Sequence, residues 1–243
     1  MEKKVVVCLK KGGQRDLAES FAGKNGLIIK EQPGEELTVL FDEKGISLTG
    51  YGLSYQGDFE SMLHRVTNGR LSHEMLVRAA KTAQTEPKGI DATAGMGEDA
   101  FLLAAYGYEM TLSEQNPVVA VLLKDALRRA KKHPDIKEIA ERMHLVEGDS
   151  VRELAAPTET ADLFYLDPMC PGRQKSGLIN KKLQLIQKLE PPCSAEKELF
   201  EAALSVKPAK IIVKRPLKSP FLAEKRPTYE LKGKAIRYDC YSL

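Results

Sequence analysis

Long apolar runs and clustered metal ligands are what this chain has least of. No apolar stretch approaches the roughly 18 residues that a membrane-spanning helix needs. The opening segment, MEKKVVVCLKKGGQ, holds a run of only five apolar residues. That is too short for a signal-peptide core, so a soluble, cytoplasmic protein is expected. The four cysteines, Cys8, Cys170, Cys193 and Cys240, stand far apart, no C-x-x-C pair occurs, and the four histidines show no ligand spacing. No metal site is therefore expected, and the thiols read as reduced. Tryptophan is absent, which excludes nothing. A large charge of one sign is also missing, since the formal net charge is +3.

The charge that is present is unevenly placed. Residues 173–188 hold Arg173, Lys175, Lys181, Lys182 and Lys188 with no acid, and residues 206–237 hold ten Lys or Arg against Glu224 and Glu230. Most charge runs are solvated faces, but two acid-poor segments flanking a candidate site favour a polyanionic partner. Lys181, Lys182, Lys214, Arg215 and Lys218 are the expected phosphate contacts. An apolar content of 42% over 243 residues allows a full core, in one domain or in a large domain with a small one attached.

The first sixty residues differ from the rest. VVVCL, GLIIK and ELTVLFDEKGISLTGYG are short β-type runs, with a hairpin turn expected at Asp42–Gly45. They predict a small β-rich N-terminal subdomain over residues 1–60. LSHEMLVRAAKTA (71–83) has helical spacing. From residue 89 strands and helices alternate: GIDAT, a helix over 98–106, YEMTLSEQ, a helix over 117–132 with Pro117 in its first turn, HLVEGD, ADLFYLDP, a helix over 194–206 and AKIIVKRP. Two β-type runs around Gly233 close the chain as a hairpin. This alternation predicts an α/β fold, a mostly parallel sheet with helices on both faces and an antiparallel pair at one edge.

DATAGMGEDAF (91–101) ends a strand in a glycine turn and starts a helix at once. A P-loop would need Lys after its second glycine, whereas Gly97 is followed by Glu98 and Asp99. The dinucleotide pattern is met formally by Gly95, Gly97 and Ala100, with Glu114 nineteen residues after Gly95. That fold, however, sets a pyrophosphate on the helix N-terminus, where Asp99 would repel it. S-adenosylmethionine has no phosphate and fits better. Asp99 can accept from its amino group, Glu114 from its ribose hydroxyls and Asp149 from its adenine amine. Each acid alone reads equally well as a cap or turn residue. Together they fall at successive strand ends on the ligand-binding edge of an open α/β sheet.

FYLDPMCP (164–171) is the second informative stretch. Pro168 stops the strand and holds the preceding residue extended, which presents Asp167 at the same edge. An exocyclic amine of a base is a poor nucleophile. Hydrogen bonds from it to Asp167 and a backbone carbonyl can hold it in line with a methyl donor and stabilise the charge that develops on nitrogen. Asp167 and Pro168 are thus the candidate catalytic pair.

At these residues the chain resembles the class I S-adenosylmethionine-dependent methyltransferases, and within them the bacterial 16S ribosomal RNA guanine-N2 methyltransferases of the RsmJ type. The resemblance rests on DATAGMGEDAF, SEQNPVVAVLL, YLDPMCPGRQKS, IVKRP and RYDCY, in that order, over roughly residues 60–240. It implies a Rossmann-like sheet of seven strands in a methyltransferase domain over 61–243, with S-adenosylmethionine as cofactor and ribosomal RNA or the small subunit as partner. It implies cofactor contacts at Gly95, Gly97, Glu98 with Asp99, Glu114 with Gln115, Asp149 with Ser150, and Asp167. HRVTNGR (64–70) matches a basic segment ahead of the family's core, which implies that His64, Arg65 and Arg70 face the RNA or the target base. The family usually has Arg where Glu98 and Gln115 stand. Residue chemistry alone leaves adenine N6 methylation open, as it does a nucleic-acid-binding module with a non-functional pocket. Met169 and Cys170 lack the aromatic that stacks on a flipped adenine.

Overall fold

The computed structural model describes residues 5–34, 36–151, 161–168, 181–189 and 196–243. The chain begins with β1 (Val6–Leu9), α1 (Arg15–Lys24), β2 (Ile29–Lys30), β3 (Thr38–Asp42), β4 (Gly45–Gly50) and β5 (Leu53–Tyr55). These strands form one sheet in the order β2-β1-β3-β4-β5, with β1 parallel to both β2 and β3. The β3–β4 hairpin turns where expected, Asp42 pairing with Gly45. The Asp42 carboxylate accepts from the Lys44 amide at 2.8 Å, and Gly45 has φ +123°, a conformation that favours glycine. Helix α1 has no counterpart in the sequence pattern. Its buried face is only Ala18, Phe21 and Ala22, too small an apolar stripe to stand out.

The N-terminal sheet does not close its own core. Val7, Val39, Phe41, Ile46 and Leu48 pack with Val118, Val119, Val121 and Leu122 from a later helix. A buried carboxylate pins the junction. Asp125 Oδ2 accepts from the Ile46 amide at 3.0 Å and from Arg129 Nε at 2.9 Å, and Oδ1 accepts from Arg128 Nη2 at 2.6 Å. A Cβ on Gly45 would fall 2.4 Å from that Oδ2, so the hairpin needs glycine for room as well as for φ.

The short helices α2 (Leu63–Val66) and α3 (Met75–Ala79) follow. The helix expected over 71–83 is interrupted: a 3-10 turn spans Arg70–His73, and Glu74 is extended at φ −63°, ψ 125°. Glu74 forgoes helical geometry and clamps Arg65 instead, accepting from Nε and Nη2 at 2.7 Å each.

The second sheet is built from β6 (Lys88–Asp91), α4 (Glu98–Tyr106), β7 (Glu109–Glu114), α5 (Pro117–Ala130), α6 (Lys137–Glu141), β8 (Met143–Glu147), β9 (Leu163–Leu166), α7 (Lys181–Leu189), α8 (Glu196–Ser205), β10 (Lys210–Pro216), β11 (Tyr229–Lys232) and β12 (Ile236–Ser242). Helix α4 lies between Gly97 (φ +74°) and Gly107 (φ +120°), and Ala100–Ala104 are buried without a break, as befits a helix covered all round. Helix α5 is capped by Asn116, whose side chain accepts from the Val118 and Val119 amides. The strand order is β11-β12-β10-β9-β6-β7-β8, with β12 antiparallel to its neighbours. This is the expected seven-stranded, mostly parallel sheet with a terminal hairpin. The chain runs outward from β6 to β8 and then restarts on the other side of β6 with β9. Such a reversal opens a crevice at the carboxyl ends of β6 and β9.

Candidate functional site

The crevice at that reversal is lined first by the glycine turn. After β6, the Ala92 amide donates to Tyr165 O at 3.1 Å and the Ala94 amide to Ser113 O at 3.1 Å. These bonds tie the loop to the strands on both sides. Gly95 (φ +52°) and Gly97 (φ +74°) take left-handed conformations. The two glycines serve different ends. A Cβ on Gly97 would press on Leu123 at 3.0 Å and on Phe59 at 3.3 Å, whereas a Cβ on Gly95 would meet nothing nearer than 3.9 Å. Gly97 is there for packing, and the space above Gly95 is open to a ligand.

Glu114, at the end of β7, is buried and binds this turn directly. Its Oε2 accepts from the Gly95 amide at 2.9 Å and its Oε1 from the Asn116 amide at 2.8 Å. Beyond β8, Asp149 Oδ1 accepts from the Val151 amide at 3.0 Å, and the buried Ser150 hydroxyl donates to Ala92 O at 2.6 Å. Glu114, Asp149 and the glycine loop thus share one edge of the sheet. Glu98 opens α4 after the glycine turn and Gln115 follows β7, and both are exposed.

A second group of side chains stands where β9 and β10 end. Asp167 follows β9, and Pro168 after it is buried. The β9–β10 register pairs Leu166 with Val213, which sets Asp167 level with Lys214. Lys214 Nζ lies 2.9 Å from Asp167 Oδ2 and donates to Asp99 Oδ2 at 2.6 Å. The Tyr165 hydroxyl donates to that same Asp99 oxygen at 2.6 Å. The Asp167 amide donates to Thr93 Oγ1 at 2.7 Å, and the Thr93 amide donates to Asp91 Oδ1 at 3.0 Å. Asp167 is therefore held at its backbone by the glycine loop and at its carboxylate by β10.

The electrostatics follow from burial and pairing. Burial pushes the Asp99 carboxyl up, but the Lys214 ammonium and the Tyr165 hydroxyl outweigh it and hold it below its ordinary value. Lys214 is driven down by burial and up by Asp99 and Asp167, and the two carboxylates win. Asp91 is fully buried. Burial, and after it the charges of Asp99 and Asp167, push it to about 8. A hydrogen-bond acceptor on a fixed mount, beside an open loop lined by acids, is suited to binding a cationic group and orienting an amine.

Several expected RNA contacts are placed differently. Lys214 and Arg215 already have carboxylate partners within the protein. The Lys214 side chain is 18% exposed and committed to two carboxylates, and Arg215 is 5% exposed with Nη1 donating to Glu196 Oε2 at 2.9 Å. Both lie within β10, and each charge is paired with a carboxylate there. Arg65 is half-buried in its fork with Glu74, and its charge is felt at Asp99. His64 and Arg70 stand on neighbouring turns with Arg70 exposed, and Arg70 Nη1 donates to His64 O at 3.3 Å. Lys218 is exposed. The side chains of Lys181 and Lys182, like Met169, Cys170 and Cys193, lie outside the described residues. Cys8 and Cys240 are buried free thiols. Among the described residues no cluster of His, Cys, Asp and Glu is arranged to hold a metal ion.

The sequence pattern passed over Asp91, Thr93, Tyr165, Glu74 and Tyr238, whose phenol on β12 lies close enough to feel the charges of Asp99, Lys214 and Asp167. Asp91 and Thr93 did carry a signal, an acid and a hydroxyl two residues apart where an apolar strand meets a glycine loop. Tyr165 and Tyr238 carried none, because a buried tyrosine in a strand looks like core.

The chain is similar to known proteins along most of its length. A family model described as "Putative SAM-dependent methyltransferase" matches residues 28–243. A ribosomal RNA small subunit methyltransferase J from Pseudomonas aeruginosa (strain LESB58) is 36% identical over 237 residues, covering 94% of this chain and 91% of that protein. A protein of the same name from Thioalkalivibrio sulfidiphilus (strain HL-EbGR7) is 37% identical over 237 residues, 93% of each chain. The likeness thus reaches further into the N-terminal sheet than residue 60. Among solved structures, a SAM-dependent methyltransferase from Neisseria gonorrhoeae matches with a TM-score of 0.76 and 27% identity, over 97% of this chain and 95% of that one. With an acid-lined glycine turn at the sheet reversal and these relatives along nearly its whole length, the chain belongs to the S-adenosylmethionine-dependent methyltransferase family of the ribosomal RNA small subunit methyltransferases J.

Proposed function

We propose that this protein methylates the exocyclic N2 of a guanine in 16S ribosomal RNA, with S-adenosylmethionine as methyl donor. The observation that carries the reading is the mount of Asp167: a carboxylate held by Lys214 at 2.9 Å, on a backbone held by Thr93 at 2.7 Å, at the sheet reversal. The name of the relatives supports the small-subunit RNA, and the likeness of the sequence motifs to the guanine-N2 enzymes supports the base.

The residues present fit the cofactor. The space above Gly95 is open, and the Glu114 carboxylate already braces the turn from below. Glu114 would take the ribose hydroxyls, Asp149 with Ser150 the adenine side, and the Gly95–Asp99 turn the methionine end. Glu98 and Gln115 would contribute from the rim. When bound, the cofactor supplies an electrophilic methyl carbon on a sulfonium. The chain's own task is to present the amine. In a paired guanine N2 lies in the minor groove with its hydrogens engaged, so the base must leave its stack. Asp167 accepts a hydrogen bond from the extruded amine, fixes its direction and stabilises the positive charge that grows on nitrogen. His64, Arg70 and Lys218, with Lys181 and Lys182, would meet the RNA backbone around the crevice, reading shape more than sequence.

Nucleoside analysis of 16S RNA from cells lacking the protein tests this. Loss of one N2-methylguanosine, restored by the wild-type gene but not by Asp167→Ala, is the expected result. An unchanged N2-methylguanosine content with another modified base missing would overturn the guanine assignment.

A further inference from the structure

Lys214 sits where three elements meet. Its ammonium comes from β10, Asp99 from α4 and Asp167 from the end of β9, at 2.6 Å and 2.9 Å. The lysine side chain is 18% exposed, so the cation has given up most of its water to be there. Burying an ammonium is costly unless it is paired, and a merely structural lysine has easier places on a strand end. We propose that Lys214 is a positioning residue of the methyl-transfer site, locking the Asp167 carboxylate in one orientation and tying it to Asp99 beside the glycine turn. The proposal rests on the methyltransferase reading above.

The chemistry follows from what the cation does to a carboxylate. An amine that is being methylated needs an acceptor that stays ionised and does not rotate. A carboxylate bound to an ammonium is a weak base but a well-aimed acceptor. Weak basicity suffices, because the nitrogen of a newly methylated, still protonated guanine amine is strongly acidic. Its proton passes to Asp167 and from there to water. The same ammonium also touches Asp99, so the amine-binding and cofactor-binding halves of the crevice share one charge. Among the described residues, Asp91 from β6, Tyr165 from β9 and Tyr238 from β12 also lie close enough to feel the charge of Asp167, and Arg65 of α2 is close enough to lower Asp99. Without Lys214 the charge of the nearby Asp99 would oppose the ionisation of Asp167, while Asp91, raised to about 8, stays neutral through the acidic range.

The test uses the full chain and three variants. In ligand-free protein, carboxyl-carbon NMR titrations should show the Asp99 and Asp167 midpoints raised by roughly 1–3 pH units in Lys214→Met, and not in Lys214→Arg. The acidic limb of the kcat profile should move up by the same amount, with roughly tenfold lower kcat at low pH for each unit, and Lys214→Arg should restore it. Asp99→Asn leaves the cation to Asp167 alone, and should shift that limb the opposite way. If Lys214→Met fails to fold, the direction of the Asp99→Asn shift decides. Titrations that match wild type in Lys214→Met, or an Asp99→Asn limb that stays put or rises, would overturn the proposal. The NMR titration needs no substrate. A protein that fails to methylate 16S RNA would sink the proposed function while leaving the Lys214 bridge separately testable.

Discussion

Replacing Glu114 by Ala separates two jobs that its carboxylate is placed to do. In the protein alone, its two oxygens accept from the Gly95 amide at 2.9 Å and the Asn116 amide at 2.8 Å. Water can reach part of this loop from the open side of Gly95, so the orphaned amides are not wholly stranded. The loss of stability should be about 1–3 kcal/mol, seen as a fall in Tm of roughly 2–4 °C per kcal/mol for a chain of this size. The second job is the bond to the cofactor's ribose. A hydrogen bond to a charged group contributes roughly 1.5–3 kcal/mol, so affinity should drop about ten- to a hundredfold. Calorimetry with S-adenosylhomocysteine and its 2′-deoxy analogue distinguishes the two. Wild type should prefer the ribose form, and Glu114→Ala should bind both alike. If the variant still discriminates between them, the ribose contact lies elsewhere and Glu114 is only a brace for the turn.

Other outcomes follow from the same geometry. Asp167→Ala should keep the fold and most of the cofactor affinity but lose kcat, because its carboxylate acts on the reacting amine. Near-normal turnover would falsify that role, and Asp167→Asn should retain some activity through its amide oxygen. Neutralising Lys181, Lys182 and Lys218 should reduce the slope of log affinity for RNA against log salt by about 0.7–0.9 for each phosphate ion pair removed, and an unchanged slope would make them a solvated face. Asp91 is raised to about 8 in the folded chain. Its neutral form therefore favours folding at low pH, and this contribution fades as pH rises from the ordinary aspartate range through about 8. Asp91→Asn should remove the fading, so its Tm relative to wild type should climb between about pH 4 and pH 8 in parallel thermal melts, and a constant difference would refute the shift.

Much of this protein is legible in its sequence because the signals are local. The strand ends at Asp91, Glu114 and Asp167, the glycines bounding α4 and the proline opening α5 each act within a few residues. Alternating β and α patterns then leave few topologies for the sheet. The Asp42–Gly45 turn was legible for the same reason. What was not legible depends on which distant residues meet. Helix α1 is stabilised by the sheet it covers, since its own apolar stripe is slight. The N-terminal strands look like a separate unit, yet they share their core with α5 through Asp125, 79 residues from Ile46. Glu74 reads as a helical residue until Arg65 is seen to need it. Lys214 and Arg215 look like surface cations in a basic segment, but each is paired with a carboxylate within the protein. Lys214 meets Asp99 across 115 residues of chain, and no periodicity or spacing encodes that pairing. Sequence by itself determined the class of fold and the edge on which the acids stand, because backbone preference and apolar period are short-range. Only the tertiary structure decided which charges face solvent and which face each other, because desolvation and pairing depend on neighbours that the fold alone supplies.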